Sequence, residues 1–185
     1  MLKEVMIAAK YHGSQTYDGK SYLYHLAKTA DLAQEFIIKY NLKTIFNNPS
    51  TESIFEFEDL HHSIEVACLL HDILEDTYCS VADLEAEDIS KKAIEIIQKV
   101  TEEEGRNRKE KKAKTYPKIR GHLGATIVKL CDRIANVDEA IKEDHPDLLR
   151  MYKREMKEFE AGIRDSSTDE VCQPLWDKLK ELLAK

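Results

Sequence analysis

The most constraining feature of the sequence is an apolar run at residues 66–70 followed at once by four polar side chains, His71, Asp72, Glu75 and Asp76. The apolar spacing predicts one continuous helix over residues 60–76. On such a helix the four polar residues fall within roughly a 140° arc. All four can then face one cavity.

The residue types in this cluster indicate metal chemistry. Imidazole and carboxylate groups together are typical ligands for a divalent metal of borderline to hard character. Two further carboxylates beside them supply the acid and base groups that a metal-assisted hydrolysis needs. The alternative is a solvated helix face, with His71 as an ordinary, partly buried histidine. The cluster alone leaves both interpretations open.

Length and composition predict one globular domain over residues 1–185 that is long enough to bury a core. The longest apolar runs hold only about five residues, too few to cross a bilayer. The N-terminus lacks the apolar stretch of a signal peptide. The four cysteines form no CxxC pair, which argues against a disulfide framework and a cysteine zinc site. We therefore expect a cytoplasmic protein without a membrane anchor.

The charge distribution indicates what kind of partner the chain binds. A net charge of −7 argues against general nucleic-acid binding. Residues 106–120 nevertheless carry eight basic side chains against the single acid Glu110. Such a run is either a solvated surface or an attractive field for a small polyanion such as a phosphorylated substrate. The sequence specifies no oligomeric state.

Apolar residues repeat at helical spacing along most of the chain, which predicts an all-α bundle of roughly seven to nine helices. Residues 13–19 and 47–50 have the composition of turns or loops, and no segment is predicted to be a strand. Trp176 is expected to pack in the core. The predicted helices cover residues 2–11, 21–40, 60–76, 91–100, part of 105–121 with an end near Pro117, 122–144, 147–162 and 169–185.

The helix over 122–144 carries a polar stripe on an otherwise apolar surface. Lys129, Asp132, Arg133 and Asn136 lie within about 100° of one another on it. The stripe is either a buried salt-bridge network or a metal ligand flanked by substrate contacts. His25, in the first turn of the helix over 21–40, is by itself most simply a capping or packing residue.

Read together, His25, His71-Asp72 and Asp132 give the pattern H…HD…D. This pattern resembles the HD superfamily of metal-dependent phosphohydrolases, which are all-helical. Three extended blocks are similar to the hydrolase domain of the RelA/SpoT group, in that family's order and approximate spacing. They lie at residues 12–25, 69–77 and 128–137, and the resemblance covers about residues 5–140.

The resemblance implies a role for each matched residue. His25, His71, Asp72 and Asp132 would bind one divalent ion, in that group typically Mn²⁺. Glu75 and Asp76 would position or activate the attacking water and handle protons. The expected substrate is a small phosphorylated nucleotide, and the expected substrate contacts are Tyr17, Lys20, Lys129, Asn136, Arg106, Arg108 and Lys112.

The best match is a small, single-domain alarmone hydrolase that removes the 3′-pyrophosphate of (p)ppGpp. Three departures from the family pattern concern substrate recognition rather than the metal. Tyr17-Asp18 stands where the family carries an Arg-Lys pair, and the segment is one residue shorter. Ser21 replaces a proline, and Glu139 replaces a threonine that helps to hold the nucleoside.

Two alternatives to the alarmone hydrolase stay open, and a third, a purely structural helical bundle, leaves the coincidence of the three blocks unexplained. One is a phosphohydrolase for another nucleotide or phosphoester. The other is a metal-binding regulatory module without turnover, against which the presence of all four ligands and both acidic residues speaks.

Overall fold

The computed structural model describes residues 2–40 and 51–185, with side chains from residue 56 onward in the second range. The loop predicted at 47–50 lies outside these residues. Most of the described residues are helical, which confirms the all-α prediction. The elements are α1 (Leu2–His12), β1 (Thr16–Tyr17), β2 (Lys20–Ser21), α2 (Tyr22–Lys39), α3 (Thr51–Leu70), α4 (Ile73–Asp76), α5 (Val81–Ala86), α6 (Lys91–Val100), α7 (Arg108–Ile119), α8 (Leu123–Lys142), α9 (Pro146–Ile163) and α10 (Ser166–Leu183).

Helix α8 is the central element and packs against α2, α3, α9 and α10. Ile127, Leu130, Ile134 and Val137 are fully or almost fully buried along it. Trp176 of α10 is also fully buried, as predicted, with its ring edge-on to that of Phe159. Because neighbouring helices cover α8 on several sides, polar residues along it can lie inside the protein. The polar stripe of α8 therefore borders a cavity.

No segment of the chain was predicted to be a strand, and this prediction is wrong for one short segment. Residues 16–17 pair with 20–21 in a short antiparallel hairpin. Asp18 and Gly19, at its tip, both have positive φ, 52° and 74°. This is the backbone of a type I′ turn, for which Asp-Gly is a favoured sequence. The hairpin pairs Tyr17 with Lys20, so that Tyr17 lies beside the strand that leads into α2.

Helix α7 ends at Ile119, two residues after Pro117 and thus near the predicted end. A proline lacks an N–H and so costs one backbone hydrogen bond. The helix nevertheless closes with the N–H of Arg120 donating to the carbonyl of Tyr116 at 3.0 Å. The buried Ile119 side chain holds this last turn against the core.

Gly162 lets α9 pack directly on α7. A Cβ at this position would lie 2.3 Å from Cδ2 of Tyr116. Alanine normally stabilises a helix interior by about 0.5–1 kcal/mol over glycine. Here we expect Gly162→Ala to lower the free energy of unfolding by about 1–3 kcal/mol, because the clash displaces the tyrosine ring. Urea denaturation measures the change.

The matched control is Ala161→Gly at the exposed neighbouring position. It should cost about 1 kcal/mol or less, from helix propensity alone. A Gly162→Ala protein as stable as the unsubstituted chain would contradict the packing described.

Among the described helices, none combines the length and apolar character of a membrane span.

Candidate metal centre and substrate cavity

His71 and Asp72 lie in a turn between α3 and α4, so the continuous helix predicted for residues 60–76 is wrong. Helix α3 begins earlier, at Thr51, and ends at Leu70. The Nδ1–H of His71 donates to the carbonyl of Cys68 at 2.9 Å, which satisfies a free carbonyl at the end of α3. The N–H groups of Glu75 and Asp76 then donate to the carbonyl of Asp72, which starts α4.

The fold brings the predicted metal ligands together from three parts of the chain: α2, the turn after α3, and α8. Potential ligand atoms of His25, His71 and Asp72 all lie within 4.8 Å of one another. The Nε2 atoms of the two histidines lie 3.4 Å and 3.7 Å from Oδ1 of Asp132. Both imidazoles are almost fully buried. The four residues therefore form one compact N/O cluster.

The cluster fits a divalent cation. Nε2 of His71 is buried and has no hydrogen-bond partner among the described residues, although Asp72 Oδ2 lies 3.0 Å away. Because Nδ1 donates to the Cys68 carbonyl, Nε2 is the nitrogen that the ring presents to the cluster. A metal would bind there in place of a proton. Two imidazole nitrogens and two carboxylates are a donor set for borderline to hard metals.

The electrostatics of the centre also favour a cation. Burial by itself would lower the pKa of His71, but the carboxylates of Asp72 and Asp132 raise it well above its usual value. Conversely, burial would raise the pKa of Asp72, but His71 lowers it to about 2. Burial would raise the pKa of Asp132 as well, but Lys129 and the two histidines hold it well below its usual value. Two carboxylates thus remain charged in the interior, and a bound metal ion would replace the proton of His71 as their positive partner.

Glu75 and Asp76 border the same cavity as the metal cluster. Oε2 of Glu75 accepts the backbone N–H of Glu102 at 2.9 Å, so the loop after α6 orients this carboxylate. Burial raises the pKa of Glu75 above its ordinary value. A carboxyl group of this kind is suited to proton transfer near neutral pH.

Tyr22 is a site residue that the sequence analysis missed. Its hydroxyl lies 2.6 Å from Oδ2 of Asp72 and 2.8 Å from Oδ2 of Asp76, and its single hydrogen can be donated to either. The ring stacks on His12, with centroids 4.5 Å apart. Gln15 completes the group, because it accepts from His12 Nδ1 and donates to the carbonyl of Asp76. The signal was available, since all three residues lie in the first of the three blocks.

We expect Tyr22→Phe to weaken binding of Mn²⁺ by roughly tenfold, because outer partners orient the ligands of a metal. The phenyl ring keeps the stacking on His12 and removes only the hydroxyl. Titration of the protein with Mn²⁺ measures the change. Tyr24→Phe is the control, because the Tyr24 hydroxyl reaches only Glu139, at 3.4 Å. Equal affinities in the two variants would remove Tyr22 from the centre.

Tyr17 and Asn136 form a second group beside the metal cluster. The Tyr17 hydroxyl donates to Oδ1 of Asn136 at 2.5 Å, and its ring stacks on His25 with centroids 4.7 Å apart. Nδ2 of Asn136 donates to Oδ1 of Asp132, also at 2.5 Å. Lys129 pairs with the other oxygen of Asp132 at 3.0 Å. All of these residues line the cavity.

One wall of the cavity, the basic wall, is formed by cationic side chains. Arg108 and Lys112 of α7 and Arg133 of α8 line it. All three contact Glu155 of α9, a residue that the sequence analysis did not single out. The basic run at 106–120 is therefore partly a wall of the cavity rather than a uniformly solvated surface.

Two predicted substrate contacts, Lys20 and Arg106, do not line this cavity. Lys20 forms ion pairs with Glu139 and Glu143. Those carboxylates hold it on the outer side of α2 and α8. The Arg106 side chain is 90% exposed and pairs with Glu110.

The two acidic departures from the family pattern also lie outside the cavity. Glu139 is buried against Lys20 and Lys28. Asp18 pairs with His145, with Nε2 3.0 Å from its carboxylate. Neither carboxylate therefore faces a phosphate bound in the cavity.

The architecture is similar to that of a solved structure described as a metazoan ortholog of SpoT that hydrolyses ppGpp and plays a role in starvation responses. The TM-score is 0.66, with 18% sequence identity over 99% of this chain and 93% of that chain. No family model matches the sequence, and no curated protein matches it significantly. The chain thus has the fold of that SpoT ortholog, which confirms the fold predicted from the HD-type resemblance.

Proposed function

We propose that residues 1–185 form a metal-dependent phosphohydrolase domain that removes the 3′-pyrophosphate of (p)ppGpp, leaving GDP or GTP. One observation carries the proposal: two histidines and two aspartates lie close together, and His25, Asp72 and Asp132 of this cluster line a cavity with two further acids and a basic wall. The similar fold of a protein described as hydrolysing ppGpp supports it.

His25, His71, Asp72 and Asp132 would hold the divalent ion, which we propose to be Mn²⁺. An ion held by such ligands supplies Lewis acidity, which polarises a phosphate oxygen and lowers the pKa of water. A phosphate that contacts this ion would lie close to α4, because the proposed ligand Asp72 stands at the start of that helix.

Glu75 is the proposed general acid and base. Its backbone partner at Glu102 occupies only Oε2, so the other carboxylate oxygen is available to take a proton from the attacking water. Asp76, fixed by Tyr22 and by its place on α4, orients that water. The water oxygen bonds to the phosphorus while the P–O bond to the 3′ oxygen breaks. Glu75 then returns the proton that it took from water to the ribose oxygen, and pyrophosphate departs.

Arg108, Lys112 and Lys129 bind the charged phosphate chain in this proposal. Cations placed where charge accumulates stabilise the transition state of phosphoryl transfer. Tyr17 and Asn136 contact the nucleoside, with the Tyr17 ring in the place of the arginine that the family uses.

The second candidate is a phosphohydrolase for another nucleotide, which the replacement of the Arg-Lys pair by Tyr17-Asp18 favours. The decisive experiment measures Mn²⁺-dependent release of pyrophosphate or phosphate from ppGpp beside a panel of ordinary nucleotides. Selective pyrophosphate release from ppGpp supports the first proposal. Release from other nucleotides but not from ppGpp supports the second.

A further inference from the structure

Three cations from two helices meet on one carboxylate of a third helix. Nε and Nη2 of Arg108 lie 2.8 Å and 3.3 Å from the two oxygens of Glu155. Lys112 forms a close ion pair with Oε2, and Nη1 of Arg133 lies 3.4 Å from the same atom. Glu155 thus accepts hydrogen bonds or ion pairs from Arg108, Lys112 and Arg133, whereas Lys129 of α8 pairs with Asp132.

Three of the four side chains in this group are largely buried, whereas that of Arg108 is 50% exposed. The side chains of Glu155, Lys112 and Arg133 are 14%, 9% and 7% exposed. The Arg133 guanidinium lies over the rings of Tyr152 and Phe159, 4.9 Å and 4.5 Å from their centroids. Burial would raise the pKa of Glu155, but hydrogen bonds from Arg108 and Lys112 lower it to about 2. Glu155 therefore stays charged at any physiological pH.

The cations of this group face the cavity, whereas Glu155 lies behind them. Arg108, Lys112 and Arg133 are lining residues and Glu155 is not. Glu155 takes up part of the N–H donors of these cations and offsets one of their three positive charges. A phosphate group entering the cavity is attracted by the same charges, so the two anions compete for them.

We propose that Glu155 is an internal substitute for a substrate phosphate: it keeps Arg108, Lys112 and Arg133 gathered and opposes the binding of external anions. The competition makes the wall selective for groups with high charge density, such as a diphosphate, over singly charged anions. This inference rests on the proposed function, because it assigns the basic wall to the substrate's phosphate chain.

The test is the affinity for inorganic pyrophosphate, measured by calorimetry without added divalent metal, which pyrophosphate would sequester. Glutamine keeps the shape and an accepting oxygen but removes the charge. We expect Glu155→Gln to bind pyrophosphate about tenfold more tightly, since hydrogen bonds to charged groups are stronger than those to neutral ones. Glu158→Gln, exposed on the same helix, should bind like the unsubstituted chain.

A gain of affinity is a result that damage to the structure does not produce. An unchanged or weaker affinity in Glu155→Gln would overturn the inference and leave Glu155 as a packing partner of the cations. If Glu155→Gln does not fold, Glu155→Asp replaces it. The shorter carboxylate cannot hold all three cations at hydrogen-bond distance, so we expect binding at least about threefold tighter. Weaker binding by Glu155→Asp overturns the inference as well.

The same assay separates this inference from the proposed function, because it measures binding and not turnover. A protein that fails to hydrolyse ppGpp while Glu155→Gln tightens pyrophosphate binding retains the anion site and loses the proposed reaction. A protein that hydrolyses ppGpp while Glu155→Gln binds no more tightly retains the reaction and loses the inference.

Discussion

Asp72→Ala should abolish both Mn²⁺ retention and hydrolysis. The substitution removes one of two carboxylates that remain ionised in the interior, and it removes the acceptor of the Tyr22 hydroxyl. Loss of an outer partner of a metal typically costs 10–100-fold in affinity or activity. Loss of a direct ligand should therefore exceed about 100-fold in rate.

Two measurements check this result. One is the rate of pyrophosphate release as a function of Mn²⁺ concentration, and the other is the gain in melting temperature on adding Mn²⁺. Asp31→Ala is the control, because Asp31 is exposed on α2, the helix that carries His25. An Asp72→Ala protein that keeps full Mn²⁺-dependent activity would show that the metal is bound elsewhere.

Glu75→Gln should leave the metal bound but slow turnover by about 10² or more, the contribution of a positioned general acid or base. Glutamine retains an oxygen that can accept the N–H of Glu102, so the geometry of α4 is preserved. It cannot take a proton from water. The loss should therefore appear in kcat, with KM and Mn²⁺ affinity close to those of the unsubstituted chain.

Single-turnover kinetics with saturating Mn²⁺ isolate the chemical step in this variant. Glu104→Gln is the matched control, because Glu104 is an exposed residue of the same loop as Glu102. A Glu75→Gln protein with an unchanged single-turnover rate would remove Glu75 from the mechanism and leave Asp76 as the candidate.

The sequence was sufficient to assemble the four proposed ligands because their residue types stand in three blocks with a recognisable order. His25 illustrates the limit of local reasoning. On its own helix it is an ordinary packing histidine, and only the order of the blocks assigns it to a metal. The structure then places its Nε2 atom 3.4 Å from Asp132, a residue more than 100 positions away.

The break between α3 and α4 could not be read from periodicity. His71 and Asp72 continue the polar arc of a hypothetical helix, so the spacing of side chains is equally compatible with both conformations. What decides is a side-chain hydrogen bond to the Cys68 carbonyl and the use of the Asp72 carbonyl as the start of a new helix. Such local competition with the backbone is a property of three-dimensional geometry.

Ion pairs between residues far apart in the sequence explain the remaining differences between the predicted and the observed site. Lys20 has the charge of a phosphate contact, but Glu139, 119 positions later, holds it. Glu155 is one of several glutamates on an amphipathic helix, and nothing near it in the sequence distinguishes it from Glu158. Only the packing of α7, α8 and α9 selects one of these residues to meet three cations.

The chain of hydrogen bonds from Tyr17 through Asn136 to Asp132 has a thermodynamic consequence. Asn136 accepts a hydrogen bond from Tyr17, the proposed contact to the nucleoside, and donates one to Asp132, a proposed metal ligand. Its amide group therefore cannot move toward one partner without disturbing the hydrogen bond to the other. Linkage of this kind is reciprocal: the factor by which a bound nucleoside changes the affinity for the ion equals the factor by which the ion changes the affinity for the nucleoside. Binding of the nucleoside and binding of the metal ion are then linked by a single coupling free energy.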